Sequence, residues 1–265
     1  MSLGPAVAVV AQVLGLAVLD ATVGLGPAAW VAGTATAVLV ATLLARGLRR
    51  AAPPGARRAA GLGAANAVTL ARSVLVGLVT ALAADSLTRA APVGVVVGLA
   101  VPALLLDAVD GVVARRAGAA TALGARFDME VDALLILVLS VLLVGPVGPW
   151  VLAIGLMRYA FVVAAVALPW LGGPLLPRFS RKVVAAGQGV ALVVAVSGVL
   201  PAVGTSATVG AALAALCWSF GRDVRWLLRI ARAADGQPSV GAAVEQPEVI
   251  VSIEQPQVMV STRTR

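Results

Sequence analysis

Eight runs of apolar residues, broken by glycine and proline, dominate this chain and leave few folds open to it. They are Ala6–Gly24, Ala28–Ala45, Ala65–Ala84, Pro92–Ala114, Phe127–Val144, Trp150–Leu168, Lys182–Leu200 and Thr205–Phe220. A helix needs roughly 17–25 apolar residues to cross the hydrocarbon of a bilayer. The separators are breakers, as in Gly24-Leu25-Gly26-Pro27, Pro53-Pro54-Gly55 and Gly172-Gly173-Pro174. Trp30, Trp150, Trp170 and Trp218 fall close to segment ends, where interfacial aromatics belong. A soluble domain carries about one quarter charged residues. Here 12% are charged and 60% hydrophobic, and mean hydropathy is +1.01. One soluble core cannot absorb that much apolar surface. The expected fold is an all-α, polytopic membrane helix bundle.

The same composition excludes several chemistries. There is no His, so no imidazole metal site and no His-based triad. A single cysteine, Cys217, excludes an internal disulfide and a cysteine-cluster zinc site. Any metal must sit on carboxylates, which favour hard cations such as Mg²⁺ or Mn²⁺.

The net charge of +8 is not evenly spread. Arg46, Arg49, Arg50, Arg57 and Arg58 follow the second run. Arg115, Arg116 and Arg126 lie between the fourth and fifth, and Arg178, Arg181 and Lys182 between the sixth and seventh. Arg222, Arg225, Arg229 and Arg232 follow the eighth. Every second connection is basic, and the intervening ones hold only Arg89. By the positive-inside rule, both termini and the basic loops face the cytoplasm of a multi-pass plasma-membrane protein. The basic excess then meets anionic headgroups, and no aromatic-rich basic face points to nucleic acid.

Four regions follow. Residues 1–45 form two accessory transmembrane helices. Residues 46–64 are a basic juxtamembrane segment, either a plain loop or an interfacial helix. Residues 65–232 form a six-helix core. Residues 233–265 form a cytoplasmic tail, which carries the near repeat Val244–Ser252 and Ile253–Ser261 and is expected to be disordered.

The chemistry concentrates in the core. Five of the 12 acids lie within 26 residues: Asp107, Asp110, Asp128, Glu130 and Asp132. Asp107 and Asp110 share one helix face at i, i+3, and Asp128 and Asp132 share another at i, i+4. Glu130, two residues from each neighbour, points elsewhere. Ionised carboxylates at the edge of hydrocarbon cost several kcal/mol each unless compensated. Protonation, arginine pairing and divalent cations each answer that need. Four carboxylates balance two divalent ions, and paired ions suit phosphoryl chemistry.

The spacing is Asp107-x2-Asp110-Gly111-x2-Ala114-Arg115-x8-Gly124-x3-Asp128-x3-Asp132. It resembles the full signature of the CDP-alcohol phosphotransferase (CDP-alcohol phosphatidyltransferase) family at all eight specified positions. The resemblance covers roughly Ala65 to Arg222, leaving two extra N-terminal transmembrane helices outside the six-helix core. It implies a membrane enzyme that uses Mg²⁺ or Mn²⁺, and the charge balance then makes two ions the expectation, held by Asp107, Asp110, Asp128 and Asp132. It implies transfer of a substituted phosphate from a CDP-linked donor to an alcohol, with release of CMP and Asp132 as general base. The donor expected is CDP-diacylglycerol. The acceptor leans to glycerol 3-phosphate, with inositol phosphate or another alcohol as the alternative.

Other residues extend this reading. Gly111 and Ala114 leave a shallow slot, and the resemblance implies that cytidine lies there, with Arg115 on phosphate oxygens and Gly124 allowing close helix approach. Asn66-x2-Thr69-x2-Arg72 resembles a pattern on the family's first core helix, close to the nucleotide. Arg72, Arg158, Arg178, Arg181, Lys182 and Gln188 are candidates for substrate phosphates. The family is often homodimeric, and Gly94-x3-Gly98 can pack helices. From another class, a transporter with an intramembrane acidic cluster would need polar residues continuing across the membrane. The fourth and fifth runs are almost wholly apolar beyond the acids.

Overall fold

The computed structural model describes residues 3–51, 64–117, 122–173 and 178–235. Among them there is no strand. Eight long helices correspond one to one with the eight apolar runs: α1 (Leu3–Val23), α2 (Pro27–Ala51), α3 (Ala64–Asp85), α4 (Val93–Ala117), α5 (Ala122–Leu142), α7 (Leu152–Ala167), α8 (Phe179–Val196) and α9 (Ala202–Asp235). A single turn, α6 (Val144–Val147), follows α5. Six helices contain runs long and apolar enough to cross a membrane, in α1, α2, α3, α7, α8 and α9. The described apolar run of α4, Val93–Ala108, is shorter, and α5 carries Asp128, Glu130 and Asp132 in its first half. The chain is a polytopic all-α membrane bundle.

Helix ends follow local chemistry. α1 stops at Gly24, whose φ of +69° is open to glycine at little steric cost, and Pro27 opens α2 as its first residue. α8 stops the same way before Gly198, φ +69°. Pro102 is tolerated inside α4, as prolines often are in membrane helices.

Several boundaries differ from expectation, three of them for a local reason. α2 continues to Ala51, six residues into the basic segment, because the first breaker after Ala45 and Gly47 is Pro53. α8 begins at Phe179 and ends at Val196, ahead of the expected run, because Gly198 and Pro201 close it early. α9 runs 34 residues to Asp235, far past Phe220. No proline interrupts it, and Arg222, Arg225, Arg229 and Arg232 recur at helical spacing along its polar extension. The repeat of the tail lies outside the described residues, as does most of 46–64.

α3 is the central element. More than half of Val68–Asp85 is buried, against no more than 28% of each of the other five long apolar spans. α1, α2, α4 and α5 all pack on it. Its apolar side chains Val76, Val79 and Leu82 are buried among Val96, Ala100, Ala103, Leu135 and Leu139 of α4 and α5. α5 packs in turn on α7, and α8 on α9. The first two helices are therefore a hairpin fitted to the same helix that carries Arg72. Gly33 of α2 lets Leu16 approach so closely that a Cβ would lie 2.7 Å from its side chain.

Candidate active site

The site forms where three helices bring charge to one depth. Arg72, in the first half of α3, has a fully buried side chain. Its Nη1 donates to Asp107 Oδ1 of α4 at 2.8 Å and to Asp128 of α5. Its Nη2 donates to Asp132 of α5 and to the backbone oxygen of Asp128 at 3.4 Å. One guanidinium thus joins α3, α4 and α5. The carboxylates themselves are partly open, with 35–41% of each side chain exposed. They stand between the arginine and the open side.

The donor set fits a hard cation. Asp107, Asp128 and Asp132 each offer a carboxylate oxygen, and these atoms lie within 4.8 Å of one another. Oxygen-only, anionic and half-open is the set that Mg²⁺ and Mn²⁺ prefer. Asp110 follows Asp107 by one helical step of three on α4, placing it on the same face. For Asn66, Asp110, Gly111, Ala114, Arg115 and Gly124 the structure describes the helical backbone alone.

Several of the other candidates are held by different partners. Thr69 is half-buried one turn before Arg72, and its backbone oxygen accepts from Ser73 Oγ at 2.7 Å. Arg158 of α7 donates instead to Glu130 of α5, the acid expected to point away from the others. Arg181 donates from Nε to Asp223 Oδ2 of α9 at 2.9 Å, and Lys182 is exposed beside it. Arg178 lies over the Trp226 ring at 5.5 Å. Gln188 is buried and donates to the backbone oxygen of Ala212 at 2.8 Å, a tie between α8 and α9.

Two residues were not anticipated. Arg222 of α9 donates to Ser180 Oγ at 2.7 Å and lies 4.6 Å over the Trp218 ring. Asp223 is buried against Arg181. The Trp218-x3-Arg222 spacing, one helical turn, is the sequence signal for the first. Nothing local signals the second. Together these gather Arg178, Arg181 and Arg222 near the start of α8, held by stacking and hydrogen bonds, with Lys182 exposed beside them.

The family model for CDP-alcohol phosphatidyltransferase matches residues 62–221, more than half of the chain and the whole span from α3 into α9. No curated protein and no solved structure matches.

Proposed function

From the premise that this chain belongs to the CDP-alcohol phosphatidyltransferase family, we propose that it transfers a phosphatidyl group from CDP-diacylglycerol to glycerol 3-phosphate. The acceptor hydroxyl oxygen forms a bond to the lipid-bearing phosphorus, the bond from that phosphorus to CMP breaks, and CMP leaves. The product is a phospholipid precursor, so the pathway is phospholipid biosynthesis. The observation that carries this reading is the convergence of Asp107, Asp128 and Asp132 from two helices within the matched region.

Each residue has a task. Asp107, Asp110, Asp128 and Asp132 hold two Mg²⁺ or Mn²⁺ ions. When bound, such ions neutralise pyrophosphate charge and stabilise the leaving CMP. Asp132 takes the proton of the acceptor hydroxyl. Gly111, Ala114 and Gly124 leave room for the cytidine, and Arg115, Asn66 and Thr69 bind the donor. Arg181 and Lys182 attract the acceptor phosphate, a reading supported by the nearness of Arg178 and Arg222 at the start of α8. The site and both termini face the cytoplasm of the plasma membrane, by the alternation of basic loops. A second copy packs through Gly94 and Gly98, both of which have open space where a side chain would stand.

The test is CMP release by the purified protein with CDP-diacylglycerol and a panel of alcohols. Glycerol 3-phosphate with Mg²⁺ or Mn²⁺ is expected to give turnover, and excess chelator to abolish it. Full turnover in chelator sinks the metal reading, and turnover with a different alcohol alone sinks the acceptor.

A further inference from the structure

Arg72 stands in an unusual place for an arginine thought to meet a substrate phosphate. Its side chain is 0% exposed, while the three carboxylates it bonds are each more than one third exposed. A ligand arriving from the open side reaches the acids first. The guanidinium lies behind them and spends both terminal nitrogens on them. Its Nε is buried and has no hydrogen-bond partner, so the group makes no further polar contact on that side.

Three carboxylate oxygens within 4.8 Å repel one another, more strongly where water is scarce. Without an internal cation, the side chains would turn apart toward solvent, or their helices would separate. The arginine fork answers this geometrically. Nη1 takes one acid from α4 and one from α5, and Nη2 takes the second acid of α5 together with the Asp128 backbone oxygen. No single-point cation spans those positions at once.

We infer that Arg72 is a positioning residue that holds Asp107, Asp128 and Asp132 in place as ligands for a divalent ion, rather than a contact for donor or acceptor phosphate. This rests on the metal reading proposed above and deepens it. Hydrogen-bonded partners of ligating carboxylates set ligand orientation, and losing one typically lowers metal affinity about 10–100-fold.

The experiment measures Mn²⁺ affinity of the purified full chain by electron paramagnetic resonance, without substrate. Arg72→Lys keeps the charge but loses the fork, so binding is expected to weaken on the order of tenfold or more. Arg72→Gln removes the positive charge, which by Coulomb repulsion alone would tighten cation binding; positioning demands that it also weaken. The Gln variant carries the test if the Lys variant does not fold. Arg89→Gln is the control for a general loosening of α3, because Arg89 bonds only at the opposite end of that helix, to Gly24 and Asp85. It is expected to lower thermal stability and leave Mn²⁺ affinity unchanged. Equal or tighter Mn²⁺ binding by the Arg72 variants overturns the inference while the metal reading stands. So does equal weakening in Arg89→Gln. A wild-type chain that binds no Mn²⁺ overturns the metal reading, and the inference with it.

Discussion

The backbone N–H of Gly26 donates to the buried carboxylate of Asp85 at 2.9 Å, closing a contact between residues 59 apart in sequence. It fastens the turn between α1 and α2 to the end of α3 remote from the acids. Gly26 is required there, since a Cβ would lie 2.6 Å from the same carboxylate oxygen. Arg89 completes the latch, donating to the Gly24 backbone oxygen at 3.0 Å and facing Asp85 at 3.8 Å. Asp85→Ala leaves a buried N–H without its acceptor, a loss of about 1–3 kcal/mol. Arg89→Gln is expected to lose less, roughly 1 kcal/mol at most, since Arg89 is more than half exposed. Thermal unfolding of the two variants in one detergent decides the order. An Asp85→Ala protein that unfolds with the wild type removes the latch from the account.

Gly155 of α7 makes a second close approach. A Cβ there would stand 2.5 Å from Leu137 Cα, which is backbone and cannot turn aside. Gly155→Ala is expected to cost about 1–3 kcal/mol by overpacking, and to lower activity by pushing α5, with Asp128 and Asp132, off its seat. Gly187 of α8 is the comparison, exposed and with nothing within 4 Å of an added Cβ. Alanine there should be neutral or mildly stabilising, because it restores helix propensity. If both alanine variants melt alike, the contact between α5 and α7 is not the tight one described.

Arg158 and Glu130 form a third tie, again between α5 and α7. Both side chains are partly exposed, so the loss on removing one partner should fall well below the roughly 3–5 kcal/mol of a fully buried pair. We predict that Arg158→Gln and Glu130→Gln each destabilise by about 1–2 kcal/mol and that the double variant loses less than the sum. The double-mutant cycle also tests the substrate role expected of Arg158 from sequence. A rise in acceptor KM in Arg158→Gln, with additive stabilities, would return that residue to the phosphate site.

Much of this was legible because the strongest signals are local. Apolar runs bounded by Gly24 and Pro27 carry their own stop and start chemistry, and each became a helix. The period of the helix alone separated Glu130 from Asp128 and Asp132, and the pairing of Glu130 with Arg158 follows that separation. What stayed hidden depends on which helices become neighbours. Arg72 was visible at helical spacing from Asn66 and Thr69, yet a long side chain can reach donor, acceptor or acid. Only the packing of α3 on both α4 and α5 selects the acids. The Gly26–Asp85 and Arg181–Asp223 contacts are hidden for the same reason, each spanning more than forty residues. The overrun of α9 has a different cause. A polar helix beyond the apolar run keeps its backbone hydrogen bonds, so loss of hydropathy marked the end of the membrane run and not of the helix.

The last prediction separates proton transfer from metal ligation among the acids themselves. Asp132 is the proposed base, while Asp107 serves chiefly as a ligand. Asp132→Asn keeps the shape and one acceptor oxygen for Arg72 Nη2, but loses most of its basicity. General-base catalysis is worth about 10²–10⁴-fold, so turnover is expected to fall by that order with only a small change in donor affinity. Asp107→Asn should instead weaken Mn²⁺ and CDP-diacylglycerol binding together with turnover, because it removes a charged ligand from α4, the helix that faces α5 across Arg72. The measurements are donor affinity and turnover of each variant at saturating Mg²⁺. Near-normal turnover in Asp132→Asn moves the base to another residue. Loss of donor binding as severe as in Asp107→Asn makes Asp132 chiefly a ligand, with the proton taken elsewhere.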